Sequence, residues 1–394
     1  MSSKLAKQVL NHVLNQQELF IDLLRDLVSA ESPSSDPAVH ERARHVFMSA
    51  LIELDYHVVE AGPVAGPKHV YARPAQRRKG VDAQLVIGHY DTVWPVGTVI
   101  DRPFTVDGNI VRGPGVFDMK GGLVQLVLAL KTLRDLGLEP GVLPLVFVNA
   151  DEEIGSRTST RYIRHLAHIA NRTLVLEPAL GDEGSLKTER KGIGRFTITV
   201  YGKAAHAGLD PGSGASAILE LSHVIQKLFA MNDVDRGVTI NVGTVDGGVQ
   251  PNVIAAHSTA VVDVRVPSIA DGDRIEAMIH GIEPETPGVR LRIDGAIGRP
   301  SMESTPRNEA LWNQAMQLAD ELDLNLTRAK VGGGSDGNTT SQYTATLDGL
   351  GPVGHGAHAK HEFLYIDKTL ERAALLTMLL LAPPTEVIAL EDTG

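Results

Sequence analysis

Short apolar segments alternate with helical segments along the first half of the chain, and this alternation constrains the fold more than any other feature. Residues 85–88, 142–149 and 173–176 have the length and composition of strands. Helical patterns at 121–136 and 158–167 separate them. Strands that alternate with helices indicate an α/β fold, here with a mixed, mostly parallel sheet flanked by helices. The segment 142–149 is apolar almost throughout, which is typical of a strand buried on both faces.

The pattern changes near residue 191, where a different order of elements begins. The segments are a strand at 196–200, a helix at 215–231, strands at 238–245 and 255–266, a helix at 270–282 and a strand at 289–293. This β-α-β-β-α-β order predicts a ferredoxin-like unit. A chain of 394 residues also exceeds the size at which a single core keeps growing. We therefore expect an inserted domain at 191–300 within a discontinuous domain formed by 1–190 and 301–394.

Composition excludes several classes of site and partner. The net charge of −11 disfavours nucleic acid and anionic membranes as partners. The chain has no cysteine, so disulfides, thiolate nucleophiles and cysteine zinc sites are excluded, and a metal would need His, Asp and Glu ligands. Residues 1–14 contain no continuous apolar region of the kind found in signal peptides, and the apolar run 373–382 is too short to span a bilayer. We therefore expect a cytoplasmic protein without a membrane partner.

Side chains that commonly bind metals follow the apolar strands. The clusters are His89 with Asp91, Asp151-Glu152-Glu153, Glu177, and His358 after a glycine-rich loop, with Asp118 at the start of a helix. Residues two apart in a strand share a face, so His89 can bind a metal while Asp91 holds its ring. Ligands of open α/β sheets bind beyond the carboxyl ends of strands, so one rim could gather all these clusters. Each cluster alone is compatible with ordinary surface charge, but their joint pattern indicates a metal centre.

Six motifs carry a resemblance that covers nearly the whole chain. They are GHYDT at 88–92, GPGVFDMKGG at 113–122, DEEIGS at 151–156, EP at 177–178, GKAAHAG at 202–208 and GAH at 356–358. In this order they resemble the co-catalytic zinc peptidases, a family that includes aminoacylases, acetylornithine deacetylase, succinyl-diaminopimelate desuccinylase and glutamate carboxypeptidase. Three further motifs resemble the glutamate carboxypeptidase (glucarpidase-like) branch: NVI at 252–254, GRP at 298–300 and GGGSD at 332–336.

The resemblance implies two Zn²⁺ ions per subunit, although His and carboxylate ligands also accept Co²⁺ or Mn²⁺. It implies these roles: His89 and Glu177 on one ion, Glu153 and His358 on the other, Asp118 as the bridge, Asp91 orienting His89, and Glu152 as general base. It also implies a cis peptide bond between Asp118 and Met119. His361 is a rival to His358 as the ligand. His358 is preferred, because it stands four residues before Glu362, which is the spacing found in the family.

The resemblance also implies how substrate is bound. In the resembling family the inserted domain forms a homodimer, and the residue matching His206 supplies an oxyanion donor to the other subunit. Candidates for binding the substrate's carboxylate are Asn252, Arg265 and Arg299, since arginine pairs with carboxylates in bidentate fashion. Arg265 has the alternative of an ordinary strand residue that faces solvent.

These features favour a zinc metallocarboxypeptidase that cleaves an amide bond. The resemblance implies release of a C-terminal amino acid, glutamate in the closest branch, from peptides or N-acyl conjugates. An aminoacylase, another small-molecule N-deacylase or a dipeptidase would use the same site. A peptide- or metal-binding protein without catalysis is a third alternative, against which the presence of Glu152 argues, since a binding module needs no general base.

Overall fold

The computed structural model describes residues 3–76, 78 and 80–385. The chain divides into two compact units. The larger unit comprises Met1–Thr188, Ser304–Lys330 and Ser335–Gly394, and the smaller unit comprises Glu189–Glu303 and Val331–Gly334. The larger unit is therefore assembled from segments on both sides of an insertion.

The described elements are as follows. The helices are α1 (Ser3–Leu14), α2 (Gln17–Ser29), α3 (Glu41–Ile52), α4 (Thr98–Asp101), α5 (Gly121–Asp135), α6 (Thr160–Ile169), α7 (Ala217–Ala230), α8 (Ile269–His280), α9 (Pro306–Glu321), α10 (Asp336–Thr340) and α11 (Ile366–Leu381). The strands are β1 (Tyr56–Ala61), β2 (His69–Pro74), β3 (Ala83–His89), β4 (Thr105–Asp107), β5 (Ile110–Arg112), β6 (Leu143–Asn149), β7 (Ala170–Val175), β8 (Leu186–Arg190), β9 (Gly192–Tyr201), β10 (Thr239–Gly247), β11 (His257–Val266), β12 (Arg290–Arg299), β13 (Arg328–Val331), β14 (Ala345–Leu347), β15 (Gly354–His355) and β16 (Phe363–Tyr365). Among the described helices, none combines the length and the apolar composition that crossing a bilayer requires.

The larger unit is built on a six-stranded sheet with the order β1-β2-β6-β3-β7-β14. The strands β6, β3, β7 and β14 run parallel to one another, whereas β2 is antiparallel to β6 and β1 is antiparallel to β2. The expected mixed, mostly parallel sheet is confirmed. The chain crosses over through helices between its parallel strands, as parallel pairing requires.

Side chains on the two faces of this sheet enter separate apolar cores. Val86 and Val146 belong to a core shared with α5 and α11. Leu85 and Phe147 belong to a second core, which includes Ile163 of α6. Successive residues of a strand point to opposite faces. This is why β3 and β6 are apolar at almost every position, and the interpretation of 142–149 as a strand buried on both faces is confirmed.

A small antiparallel sheet in the larger unit, with the order β15-β16-β5-β4, was not predicted. Its strands have two or three residues each, which is too short for a periodic signal. Residues Thr105, Arg112, Phe363 and His355 are partners across this sheet and form one row. The sheet places the loop of His358 beside the strand that leads into the glycine-rich segment 113–115.

The smaller unit has the predicted β-α-β-β-α-β order and an antiparallel sheet with the order β10-β11-β9-β12. This is the ferredoxin-like topology, so that expectation is confirmed. Phe196 and Val200 of β9 are fully buried in its core, together with Val224 of α7 and Ile275 of α8. The last strand, β12, extends to Arg299, six residues beyond the predicted end at 293. The run Asp294-Gly295-Ala296 hides this extension, because it interrupts the apolar alternation.

Candidate metal centre

Three of the expected ligands lie at the carboxyl ends of neighbouring parallel strands. His89 is the last residue of β3, and its partner in β6 is Asn149. Glu153 lies in the 3-10 turn Glu152–Ile154 that follows β6, and Glu177 lies two residues after β7. Parallel neighbours end at the same edge of a sheet, so these side chains share one rim.

Close backbone packing positions the segment that carries Glu177. A Cβ atom on Gly122, in the first turn of α5, would lie 2.4 Å from the carbonyl oxygen of Leu176, and one on Gly351 would lie 2.1 Å from the same oxygen. No side chain fits at either distance, so both positions require glycine. Close packing against Leu176 therefore explains why the motif at 113–122 ends in a glycine, Gly122.

Asp118 lies between the two histidines. Its Oδ1 is 3.4 Å from Nε2 of His89, and its Oδ2 is 3.4 Å from Nε2 of His358. Glu177 Oε1 is 3.6 Å from Nε2 of His89, and Glu153 Oε2 is 2.9 Å from Nε2 of His358. The Asp118–Met119 peptide bond is cis. The structure thus arranges the five residues as two His–carboxylate pairs that share one central carboxylate.

Glu152 faces the same cluster as its neighbour Glu153. The ligand atoms of His89, Glu152 and Glu177 lie within 4.8 Å of one another, and so do those of His89, Asp118 and Glu153. The two adjacent glutamates therefore group with different residues of the cluster, Glu152 with Glu177 and Glu153 with Asp118. This is the arrangement needed if one binds a metal and the other acts on a water molecule beside it.

Excess negative charge governs the electrostatics of the cluster. Hydrogen bonds to Asp118 and Glu153 raise the pKa of His358 to about 10. Burial alone would lower the pKa of His89, but hydrogen bonds to Asp118 and Asp91 hold it well above its ordinary value. Burial raises the pKa of Glu153. The cluster therefore stabilises positive charge strongly, which a bound cation can supply without protons.

The donor set fits divalent metal ions. Oε1 of Glu153 is buried and has no hydrogen-bond partner among the described residues, an arrangement that is costly without a ligand. Imidazole and carboxylate groups together suit zinc and neighbouring divalent metals. The side chain of His358 is 54% exposed, so the cluster is open to solvent on that side. A substrate can therefore reach it.

Asp91 holds more than the ring of His89. Its Oδ1 accepts the backbone N–H of Glu152 at 3.2 Å, and its Oδ2 accepts that of Glu153 at 3.3 Å and the hydroxyl of Ser34 at 2.7 Å. Nδ1 of His89 is 2.9 Å from the backbone oxygen of Asp91 and 3.5 Å from its carboxylate. The carboxylate thus fixes the backbone of the glutamate pair, while the imidazole lies closer to the main chain of Asp91 than to its side chain.

A buried polar network supports the loop of the glutamate pair. Asp336 accepts hydrogen bonds from Nδ2 of Asn149 at 2.6 Å and from Oγ of Ser156 at 2.5 Å, on either side of that loop. Asp151 accepts one from Oγ of Ser159 at 2.6 Å. The sequence motif at 332–336 thus has a structural role in the larger unit through its final aspartate.

Glu362 is a further residue of the site, and the sequence indicated it only through its spacing from His358. Its Oε1 accepts the backbone N–H groups of Phe117 and Asp118, both at 3.0 Å. Its Oε2 accepts that of Gly115 at 2.9 Å and Nε1 of Trp94 at 3.0 Å. Burial raises the pKa of Glu362 to about 7. The carboxylate therefore holds the loop that presents Asp118.

His361, the rival of His358, is exposed and lines a different cavity, together with Arg102 and Arg112. The structure does not bring it into the cluster of Asp118 and Glu153. This geometry favours His358 as the ligand of the two.

His206 and Asn252 lie on neighbouring segments of the smaller unit, and both are exposed. Nδ1 of His206 accepts the backbone N–H groups of Gly208 and Leu209, each at 3.1 Å. A neutral imidazole with an accepting Nδ1 carries its proton on Nε2. His206 is therefore arranged as an Nε2–H donor. The backbone oxygen of Asn252 accepts the N–H of Ala207 and ties the two segments together.

The two candidate arginines of the smaller unit differ in their surroundings. Arg265 forms a bidentate pair with Asp263, at 2.8 Å from Nε and 3.1 Å from Nη2. Two of its donors are thus occupied, which favours the ordinary strand role over carboxylate binding. Arg299 is the last residue of β12, opposite Ile193 of β9, after a shift in the strand register. It belongs to the strand rather than following it, which corrects the boundary expected from the sequence.

Known proteins are similar to this chain in sequence and in fold. A family model described as a peptidase dimerisation domain matches residues 188–282. The carboxypeptidase G2 of Pseudomonas sp. (strain RS-16) is 27% identical over 379 residues, which are 93% of this chain and 90% of that protein. An acetylornithine deacetylase of Erwinia tasmaniensis is 28% identical over 267 residues, 62% of this chain and 67% of that protein.

Solved structures share the fold. An aminopeptidase, PepT of Bacillus cereus, has a TM-score of 0.72 at 19% identity and covers 92% of this chain and 98% of its own. A dinuclear metal-binding peptidase of the M20 family from Bacillus subtilis has a TM-score of 0.65 at 15% identity and covers 93% of this chain and 97% of its own. Together with the sequence matches, these findings show that the chain is similar to M20 peptidases over most of its length, carries a peptidase dimerisation domain and is a hydrolase of peptide-type bonds.

Proposed function

We propose that the chain is a metallocarboxypeptidase that releases a C-terminal amino acid, glutamate in the first instance, from peptides or N-acyl conjugates. The observation that carries this proposal is the arrangement of two His–carboxylate pairs around the two oxygens of Asp118, with Glu152 beside them. The match to carboxypeptidase G2 over most of both chains supports the carboxypeptidase class. We also propose a cytoplasmic location.

In this proposal His89 and Glu177 would hold one Zn²⁺, Glu153 and His358 would hold the second, and Asp118 would be shared by both. When bound, such a pair of cations lowers the pKa of a water molecule and polarises the amide carbonyl. Co²⁺ or Mn²⁺ would serve with the same ligands.

Glu152 is the general base. It takes a proton from the attacking water, whose oxygen forms the new bond to the amide carbon. It then delivers the proton to the leaving nitrogen as the C–N bond breaks, so that a free amine and a carboxylic acid result. Asp91 keeps Glu152 in place through the backbone N–H of that residue.

The smaller unit contributes substrate binding. Residues 191–300 form the dimerisation domain of a homodimer, through which His206 donates its Nε2–H to the developing oxyanion in the other subunit. Arg299 binds the α-carboxylate of the substrate and Asn252 assists it. Arg265 is the weaker candidate, because Asp263 already occupies two of its donors.

A second candidate function is an N-deacylase or dipeptidase on the same site. The match to an acetylornithine deacetylase supports it, since that protein is as similar in identity as the carboxypeptidase. Both candidates use the same metals and the same base. They differ in the part of the substrate on which kcat/KM depends most: the released amino acid for a carboxypeptidase, and the acyl group for an N-deacylase.

One experiment tests the proposal and separates the candidates. Protein reconstituted with zinc should contain about two ions per chain, as a bridged pair requires, and Asp118→Ala should contain fewer. The kcat/KM values should then be measured for N-acyl amino acids that differ only in the released residue. The proposal expects glutamate to be released fastest. Faster release of alanine, leucine or arginine would favour another branch of the family, and a metal content near zero would refute the metal assignment.

A further inference from the structure

A cavity of about 230 Å³ in the larger unit is lined by basic side chains. Arg102, Arg112, Lys360 and His361 contribute to its wall, together with Thr105 and Glu362. The whole chain has a net charge of −11, so such a concentration of basic groups stands out from its surroundings. The volume lies below the roughly 300–1,000 Å³ of pockets for drug-sized ligands, which suits a small ion or a single group of a larger molecule.

The small antiparallel sheet places the parts of this cavity. Arg112 of β5 is the direct partner of Thr105 in β4 on one side and of Phe363 in β16 on the other. Directly opposed residues have their Cβ atoms about 4.5–5.5 Å apart and on the same face. The guanidinium of Arg112 lies over the ring of Phe363, with Cζ 5.2 Å from the ring centre. Its position is thus defined by packing and not by a carboxylate.

Arg102 is held in the same way. Its Cζ lies 3.7 Å from the centre of the Trp94 ring, a close cation–π contact. Within the described residues, neither arginine nor Lys360 forms an ion pair with a carboxylate. A guanidinium held over a ring keeps N–H donors available for a further partner. The cavity therefore presents positioned, uncompensated cations.

Among the described residues, the acidic residue in the wall forms no ion pair with these cations. Both oxygens of Glu362 are engaged by Nε1 of Trp94 and the N–H groups of Gly115, Phe117 and Asp118. Its charge is directed to those donors, on the side of the loop that presents Asp118.

The cavity lies close to the metal centre along the chain. His361 follows the candidate ligand His358 by three residues, so their Cα atoms are at most about 11 Å apart, since each step spans 3.80 Å. Glu362 touches both the cavity and the backbone of Asp118. A ligand in the cavity is therefore within reach of a molecule bound at the metals.

We propose that this cavity is an anion-binding site that takes a small oxyanion, either a carboxylate or a phosphate. Two sources supply this chemistry. One is an acidic group on the acyl part of the substrate, an occupant that rests on the proposed function. The other is a free inorganic anion, which does not depend on it.

The test compares Lys360→Glu and Arg112→Gln with Lys7→Glu in the metal-loaded protein. Lys360 and Lys7 are both exposed, so the two charge reversals are matched and neither endangers the fold. Inorganic phosphate is titrated calorimetrically into each protein. Arg112→Gln adds no negative charge near the metals, so a fall in phosphate affinity in both cavity variants, and not in Lys7→Glu, reports on the cavity. Loss of one charge-assisted hydrogen bond weakens binding by about 10-fold or more.

A second arm uses two substrates that release the same amino acid from an N-glutaryl or an N-pentanoyl group. A roughly 10-fold loss of kcat/KM on the glutaryl substrate alone, in both cavity variants, identifies the acidic acyl group as the occupant. Weaker phosphate binding with an unchanged ratio of the two substrates identifies a free anion. Unchanged phosphate binding together with an unchanged ratio overturns the proposal. Absence of hydrolysis of every substrate in the wild type would count against the proposed function, while the phosphate arm would still decide the anion site.

Discussion

Replacing Glu362 with glutamine should weaken both the fold and the metal centre. The carboxylate of Glu362 is 2% exposed and accepts four N–H groups, two on each oxygen. Glutamine keeps the shape and one acceptor oxygen. Its NH₂ group, however, replaces the other oxygen and faces two N–H donors that it cannot accept.

The magnitude follows from counting these donors. Two buried N–H groups lose their acceptor, at about 1–3 kcal/mol each, which gives about 2–6 kcal/mol of unfolding free energy. That is a large part of the about 5–15 kcal/mol by which a domain is stable. The metal centre is affected because Asp118 is among the residues held, and loss of such supporting contacts lowers metal affinity by about 10–100-fold.

The assay can follow the larger unit selectively. Both tryptophans of the chain, Trp94 and Trp312, lie in that unit, so urea unfolding monitored by tryptophan fluorescence reports on it. Metal affinity is measured separately by competition with a chelator. The matched control is Glu220→Gln, because Glu220 is also fully buried and accepts the backbone N–H groups of Glu285 and Thr286 in the smaller unit.

The control should lose stability in the smaller unit, which is followed by far-UV circular dichroism because that unit contains no tryptophan, and it should retain its metal affinity. Glu362→Gln should lose both. If Glu362→Gln is destabilised yet binds metals and turns over substrate like the wild type, then the position of the Asp118 loop does not depend on this carboxylate, and the reasoning is wrong.

Three further predictions concern catalysis. Glu152→Gln should lower kcat by about 10²–10⁴-fold, because glutamine cannot accept a proton. Its metal content, measured by elemental analysis, should be unchanged. Normal turnover or loss of metal would exclude Glu152 as the base. Arg299→Ala should lower kcat/KM for free-acid substrates much more than for amidated ones, and equal losses would indicate a structural role. Mixing inactive Glu152→Gln and His206→Ala homodimers should restore about one quarter of wild-type activity, since half of the re-formed dimers are mixed and each has one intact site. A monomer at assay concentration, or subunit exchange without recovery, would refute that arrangement.

The main sheet and the smaller unit could be predicted because their patterns are local. Runs such as 142–149 are apolar at almost every position, which indicates a strand buried on both faces, and the regular alternation around Phe196 indicates a strand buried on one face. The rim at the strand ends follows from topology alone. The grouping of His89, Glu153 and Glu177 at that rim was therefore accessible without coordinates.

The supporting contacts could not be predicted, because their partners carry no sequence signature. Glu362 binds backbone N–H groups of residues about 245 positions earlier, and any residue type except proline offers such a donor. The pairing of Arg265 with Asp263 depends on both side chains lying on the same face of β11 and on their rotamers, and only the first follows from the sequence. The basic cavity depends on strands of two or three residues.

Glu362 contacts both the proposed metal centre and the basic cavity. Variants of this region should therefore differ in how they change metal affinity and phosphate affinity. Its Oε1 holds the N–H of Asp118 at the metal centre, and its Oε2 holds Trp94, whose ring supports Arg102 in the basic cavity. Substitution of Glu362 should therefore weaken both metal and phosphate binding. Lys360→Glu changes only the charge of the cavity wall, so it should weaken phosphate binding and leave metal affinity unchanged. Equal effects of the two variants on metal affinity would show that charge near the centre, and not the position of the Asp118 loop, controls metal binding.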